Sequence, residues 1–165
     1  MRFYIYSLFD ARDPRVHSCV CEPHLWISID DSRTDGRTIL PINPNRLAHL
    51  HVITDDIDRE MDGYYVLFSE DEATRIINWV EKRLSEPFFK EVQLIVVNCF
   101  AGVSRSPAIA AALCMWLNGN DRMVRDNSKY MLNIHIYTTM LKVLRSLGKI
   151  PYLFKEQESM LERGQ

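Results

Sequence analysis

Apolar side chains fill five of the six positions from 92 to 97, with only Gln93 interrupting. A strand with one wet face alternates apolar and polar residues. A run this continuous instead predicts a strand buried on both faces, as in the middle of a parallel sheet. From 108 to 117 the chain reads Ala-Ile-Ala-Ala-Ala-Leu-Cys-Met-Trp-Leu. Apolar all round, this run predicts a helix central to the core, and Asn118-Gly119 stops it. Upstream, Ser69 and Glu72 make a capping box ahead of Ala73, Ile76, Ile77, Val80 and Leu84. Those spacings trace one face of an amphipathic helix, with Arg75, Asn78, Glu81 and Lys82 on the other. A last helix is expected over 134–147, closing before Gly148 and Pro151. Shorter strands are expected at 2–8, 24–29 and 50–53. Strands alternating with helices predict an α/β layer fold, a central and mostly parallel sheet flanked by helices.

Composition narrows the class. The chain has 165 residues, 47% apolar and 25% charged, the size and make-up of one globular domain. One domain is expected over 1–154, with a polar tail at 155–165. A net charge of -2 argues against a general nucleic-acid binder. Four cysteines form no spaced disulfide framework. The start of the chain lacks the long apolar region of a signal peptide, and no segment has the ~20 apolar residues of a membrane span. A cytoplasmic, monomeric protein with no membrane or nucleic-acid partner is expected.

Between the buried strand and the apolar helix lies Cys99-Phe100-Ala101-Gly102-Val103-Ser104-Arg105-Ser106. A strand that feeds a tight loop into a helix N-terminus aims backbone N–H groups at one point. The amides of Phe100, Ala101, Gly102, Val103, Ser104 and Arg105 can ring a phosphate, and the Arg105 guanidinium can fork two of its oxygens. Cys99 then lies at the floor of an anion cradle, where the helix dipole and a nearby cation favour thiolate over thiol. A thiolate under a bound phosphate is placed for in-line attack on phosphorus.

This stretch resembles the signature loop of the protein tyrosine phosphatase superfamily. It is most similar to the dual-specificity and small phage- or prokaryote-type branch, with Cys99, Gly102, Ser104, Arg105 and Ser106 matching. The resemblance extends from about 24 to 147. It implies a cysteine-phosphatase fold and a metal-free, cofactor-free reaction, with Ser106 stabilising the cysteine thiolate as it departs. One position differs: the family's histidine before the nucleophile is Asn98 here. Asn98 hydrogen-bonds but carries no charge, so weaker support for the loop and a slower enzyme are expected.

Cleaving a phosphoester also needs an acid for the leaving oxygen. The resemblance places it on a loop after a strand upstream, here Val52-Ile53-Thr54-Asp55-Asp56-Ile57-Asp58. Aligned on the strand end, Asp56 falls at the family's acid, with Asp55 and Asp58 as alternatives. Ser104 is expected to order the loop through side-chain-to-backbone bonds. Ser106 is a candidate helix cap as well as a catalytic group, and Asn133 is a candidate cap that can also reach back to the loop.

Two stretches resemble metal-ligand patterns. Asp56, Asp58, Glu60 and Asp62 alternate like calcium ligands, but Met61 and Leu67 stand where an EF-hand needs glycine and glutamate. His17, Cys19, Cys21 and His24 offer zinc ligands at spacings unusual for a structural site. No metal is assigned. The variable loop positions Phe100, Ala101, Val103 and Ser104 are all uncharged. Since lipid-directed members of the family carry lysines there, this favours a phosphorylated protein or peptide, through tyrosine with or without serine and threonine. A phospho-binding module that keeps the cradle and loses turnover is the alternative.

Overall fold

A computed structural model describes residues 1–33, 37–61 and 63–151. Four parallel strands form the sheet in the order β1-β4-β2-β3. They are β1 (Arg2–Ser7), β2 (His24–Asp30), β3 (Arg46–Ile53) and β4 (Leu94–Cys99). All residues of β2 and β4 are buried, as the apolar run at 92–97 requires, although β4 starts two residues later than that run and includes Asn98 and Cys99. β3 begins at Arg46, well before the expected residue 50, and pairs along its length with β2. The expected fold class matches this α/β architecture.

The helices are α1 (Leu8–Arg12), α2 (Pro14–Cys19), α3 (Glu70–Ser85), α4 (Arg105–Asn118), α5 (Arg122–Arg125) and α6 (Ile134–Ser146). α3 starts at the Ser69 cap, whose side chain accepts from the Glu72 N–H. α4 is buried from Arg105 to Cys114 and ends at Gly119, whose φ of 76° is the left-handed conformation that a glycine stop adopts freely. α3, α4 and α6 pack on one face of the sheet, against Leu25, Ile27, Ile95 and Val97 among others. Full burial of a single Leu or Ile contributes roughly 1.5–3 kcal/mol, so this layer dominates stability.

The opposite face carries a smaller cluster of Ala11, Val20, Trp26, Leu94 and Val96, covered from α1, α2 and Leu40. α1 and α2 had no counterpart in the sequence pattern. The strand expected at 2–8 stops at Ser7, whose side chain accepts from the Asp10 N–H in a reciprocal capping box that opens α1. Asp13 caps α2, with Pro14 in its first turn. The expected tail at 155–165, and the end of the domain expected at 154, lie outside the described residues.

β4 sits between β1 and β2 although it is last in sequence, so the chain reverses direction across the sheet at its carboxyl edge. Open parallel sheets bind ligands at such switch points. Cys99 ends β4 there.

Candidate active site

The loop from Phe100 to Ser104 is fixed by its carbonyls. Phe100 O accepts from Leu8 N–H at 3.0 Å, Val103 O from Met131 N–H at 2.9 Å, and Ser104 O from Asn133 N–H at 3.2 Å. All three donors lie outside the loop. A planar trans peptide points its C=O and its N–H in opposite directions. With those carbonyls turned outward, the N–H groups of Ala101, Ser104 and Arg105 turn inward. The Gly102 N–H reaches the Cys99 sulfur at 3.3 Å. Gly102 has a φ of 71°, and a Cβ there would come within 2.8–2.9 Å of the Tyr6 and Ser7 backbone. The glycine is therefore required by the close approach of the loop to the end of β1.

Cys99 is buried, and its Sγ lies 3.1 Å from Ser106 Oγ. Ser106 is not the cap of α4: the cap position is Ser104, whose side chain makes no capping bond. The Ser106 hydroxyl is thus available to the sulfur. Ser104 also departs from expectation, since its hydroxyl donates to Asp56 Oδ1 at 2.8 Å rather than to backbone.

Arg105 is buried, and its bonds to Asp31 Oδ1 and to Thr54 O, each at 2.7 Å, both leave from Nη1. Its Nε–H is buried without a partner among the described residues. Asp31 and Thr54, on the loops after β2 and β3, hold one corner of the guanidinium and leave the Nε edge for an anion. Neither was found from sequence. Asp31 opens a polar loop with no marking pattern, and Thr54 acts through its backbone, which side-chain identity does not announce.

The acid candidates separate. Asp55 is buried, and its carboxylate accepts from Ser32 N–H at 3.1 Å, from the Ser32 hydroxyl, and from Val66 N–H at 2.7 Å. Burial raises its pKa, but the bonds from Ser32 and Val66 outweigh that and hold it below the ordinary carboxylate value. Asp55 staples the loop. Asp56 is exposed and stands against the signature loop, accepting from Ser104 and from Asn133 Nδ2 at 2.9 Å. Asp58 is also exposed and lines a neighbouring cavity. Asn133 caps α6, its Oδ1 accepting from Ile136 N–H at 3.0 Å, while its side-chain amide reaches Asp56 and only its backbone N–H reaches the signature loop, at Ser104 O.

Asn98 turns to the other face of the sheet. Its Oδ1 accepts from Trp26 Nε1–H at 2.8 Å and Ser28 Oγ–H at 2.7 Å, while its buried Nδ2 has no partner among the described residues. Indole N–H is only a donor, which fixes the amide orientation. Asn98 therefore bonds to β2, not to the signature loop.

The zinc candidates are dispersed into other roles. His17 bonds to Ala11 O and stacks on Trp26, His24 bonds to Glu22 O, and Cys19 and Cys21 are exposed. Among the described residues no three potential ligands converge on one point. No described helix is long and apolar enough to cross a membrane.

No protein-family model matches the chain, and no curated protein sequence matches it. Solved structures do. A mouse protein described as a dual specificity phosphatase complexed with zinc tungstate superposes with a TM-score of 0.61 at 18% identity, over 92% of this chain and 89% of that one. DUSP15 gives 0.59 at 17% identity, over 98% and 90%. The human tyrosine phosphatase-like serine/threonine/tyrosine-interacting protein gives 0.59 at 15% identity, over 88% and 92%. Sheet order and these superpositions agree: the chain has the fold of the dual-specificity phosphatases.

Proposed function

We propose that the protein is a cysteine-dependent phosphomonoester hydrolase acting on phosphorylated protein or peptide. The observation that carries this reading is the Cys99 sulfur, buried at the floor of the loop between the Gly102 N–H and the Ser106 hydroxyl. In the first step the Cys99 thiolate attacks phosphorus and the bond to the leaving oxygen breaks. The inward amides and the Nε edge of Arg105 hold the equatorial oxygens as charge develops on them. Asp56 gives its proton to the leaving phenol or alcohol. In the second step the Asp56 carboxylate takes a proton from water, whose oxygen displaces sulfur from phosphorus. Ser106 donates to the departing thiolate, and inorganic phosphate is released.

The uncharged loop favours a phosphorylated side chain over a polyanionic headgroup, with tyrosine, serine and threonine all compatible. The interacting protein that shares this fold makes phospho-binding without turnover the second reading. Hydrolysis of p-nitrophenyl phosphate in the presence of a chelator tests both. Wild type should turn over with the chelator present, whereas Cys99→Ser should be inactive yet still bind vanadate. Chelator-sensitive turnover that survives in Cys99→Ser would replace this mechanism with a metal-dependent one. Vanadate binding with no turnover in wild type would establish the binding module.

A further inference from the structure

The signature loop leans on two walls. Phe100 O is tied to the start of α1, and Val103 O and Ser104 O are tied to the segment before α6. Asp56 stands on the second side, against Ser104 and Asn133. Beyond it the surface opens into a cavity of about 500 Å³, within the ~300–1,000 Å³ of ligand pockets. Ile57, Met61, Leu132 and Ile134 line it together with Asp58 and Arg59. Asp56 and Asn133 line it as well, so the cavity and the phosphate cradle share a wall. Met61 and Ile134 are 48% and 57% exposed, an apolar pair left in water beside a candidate catalytic acid.

We propose that this cavity is a substrate subsite that takes an apolar side chain flanking the phosphorylated residue of a peptide. The inference rests on the reading of the loop as a phosphate site. Contact supports it. Ser104 of the loop donates to Asp56, and Asp56 lines the cavity. A peptide that leaves the cradle past Asp56 therefore meets the cavity wall.

Chemistry selects the occupant. Four lining side chains are apolar, and Asp58 and Arg59 oppose each other in sign. With those two charges balanced, an acidic flank finds no net positive partner to offset its desolvation. A leucine-like side chain covers Met61 and Ile134. An inositol ring or a nucleotide brings no comparable apolar group.

Three phosphotyrosine peptides that differ only in whether Leu, Ser or Glu flanks the phosphoresidue test the subsite. Wild-type kcat/KM should favour Leu over Ser by about tenfold, the lower end of what one methylene achieves in an apolar pocket, and Glu should rank last. Met61→Ser and Ile134→Ser should bring the Leu-to-Ser ratio close to one while p-nitrophenyl phosphate turnover is unchanged. Both side chains are about half exposed, so serine leaves the core intact. The same peptides titrated onto Cys99→Ser by fluorescence anisotropy should rank identically, which frees the test from turnover. Equal binding of the Leu and Ser peptides, or a preference that survives both substitutions, overturns the subsite. Ranked binding by a wild type that hydrolyses nothing supports the subsite and overturns only the catalytic reading.

Discussion

Of two adjacent carboxylates, Asp55 is buried under donors from Ser32 and Val66, and Asp56 stands exposed against Ser104. Alignment on the strand end favoured Asp56 in the sequence, but the burial of Asp55 was not legible there, because it depends on which way the chain turns after β3. Substitution should separate them in solution. Asp56→Asn should slow aryl phosphates with poor leaving groups by about 10²–10⁴-fold, the usual worth of general acid catalysis, and activated ones far less. Equal losses on both substrates would remove Asp56 from that role. Asp55→Asn should instead unfold at lower denaturant, since an amide NH₂ must then face a donor, at about 1–3 kcal/mol. Asn98 is a second case in which identity was legible and direction was not. Its single oxygen accepts from two buried donors, whereas a neutral imidazole has one acceptor nitrogen. Asn98→His should therefore lower Tm rather than speed alkylation of Cys99 by iodoacetate at mildly acidic pH. Faster alkylation with unchanged Tm would restore the expectation that this position supports the loop.

At the scale of elements, the signature loop is a wedge between the β1–α1 junction and the segment before α6. Gly102 lets it seat. Gly102→Ala adds a Cβ at 2.8 Å from backbone that cannot swing aside and places alanine at a φ of 71°. The loop should lift from β1, with Tm reduced and vanadate affinity down at least tenfold by calorimetric titration, whereas retained affinity would mean that the cradle forms without this contact. The motif residues and helices α3, α4 and α6 were legible because each has a long apolar face or a fixed spacing. α1 and α2 were not. At five and six residues they are too short for a 3.6-residue period to show, and only the Ser7–Asp10 box and Asp13-Pro14 mark them. The first half of β3 was missed for another reason. Arg46, Leu47, Ala48 and His49 do not alternate apolar with polar, and their place in the sheet comes from pairing with β2.

Across the whole molecule the sheet has one apolar side and one side with a covered polar chain. Ser28 donates to Asn98, so the His49 Nε2–H donates to Ser28 Oγ at 2.8 Å. The His49 and His51 rings lie 4.0 Å apart, and His51 Nδ1 meets Asp30 Oδ2 at 3.2 Å. Burial, with His51 and Arg46 nearby, pushes the His49 pKa down to about 3, and burial with Arg46 nearby pushes His24 down to about 4. Unfolded histidine titrates near 6.5. Below that pH the unfolded chain binds protons that the folded one refuses, so stability is full above about 6.5 and falls toward 4. Urea midpoints measured from pH 7.5 down to 4.5 should decline steadily, and His49→Gln should flatten the decline. A wild-type profile level over that range would contradict burial of these imidazoles.

That Cys99 itself carries the phosphoryl group is open to direct observation. In Ser106→Ala the departing thiolate loses the hydroxyl 3.1 Å away, so the second step should slow and the covalent intermediate accumulate. Acid quenching of that variant during turnover of an aryl phosphate, followed by peptide mass mapping, should find one phosphoryl group on the peptide containing Cys99 and none in Cys99→Ser. Turnover with the phosphoryl group on another side chain, or with no covalent adduct at Cys99 under any quench, would contradict the mechanism.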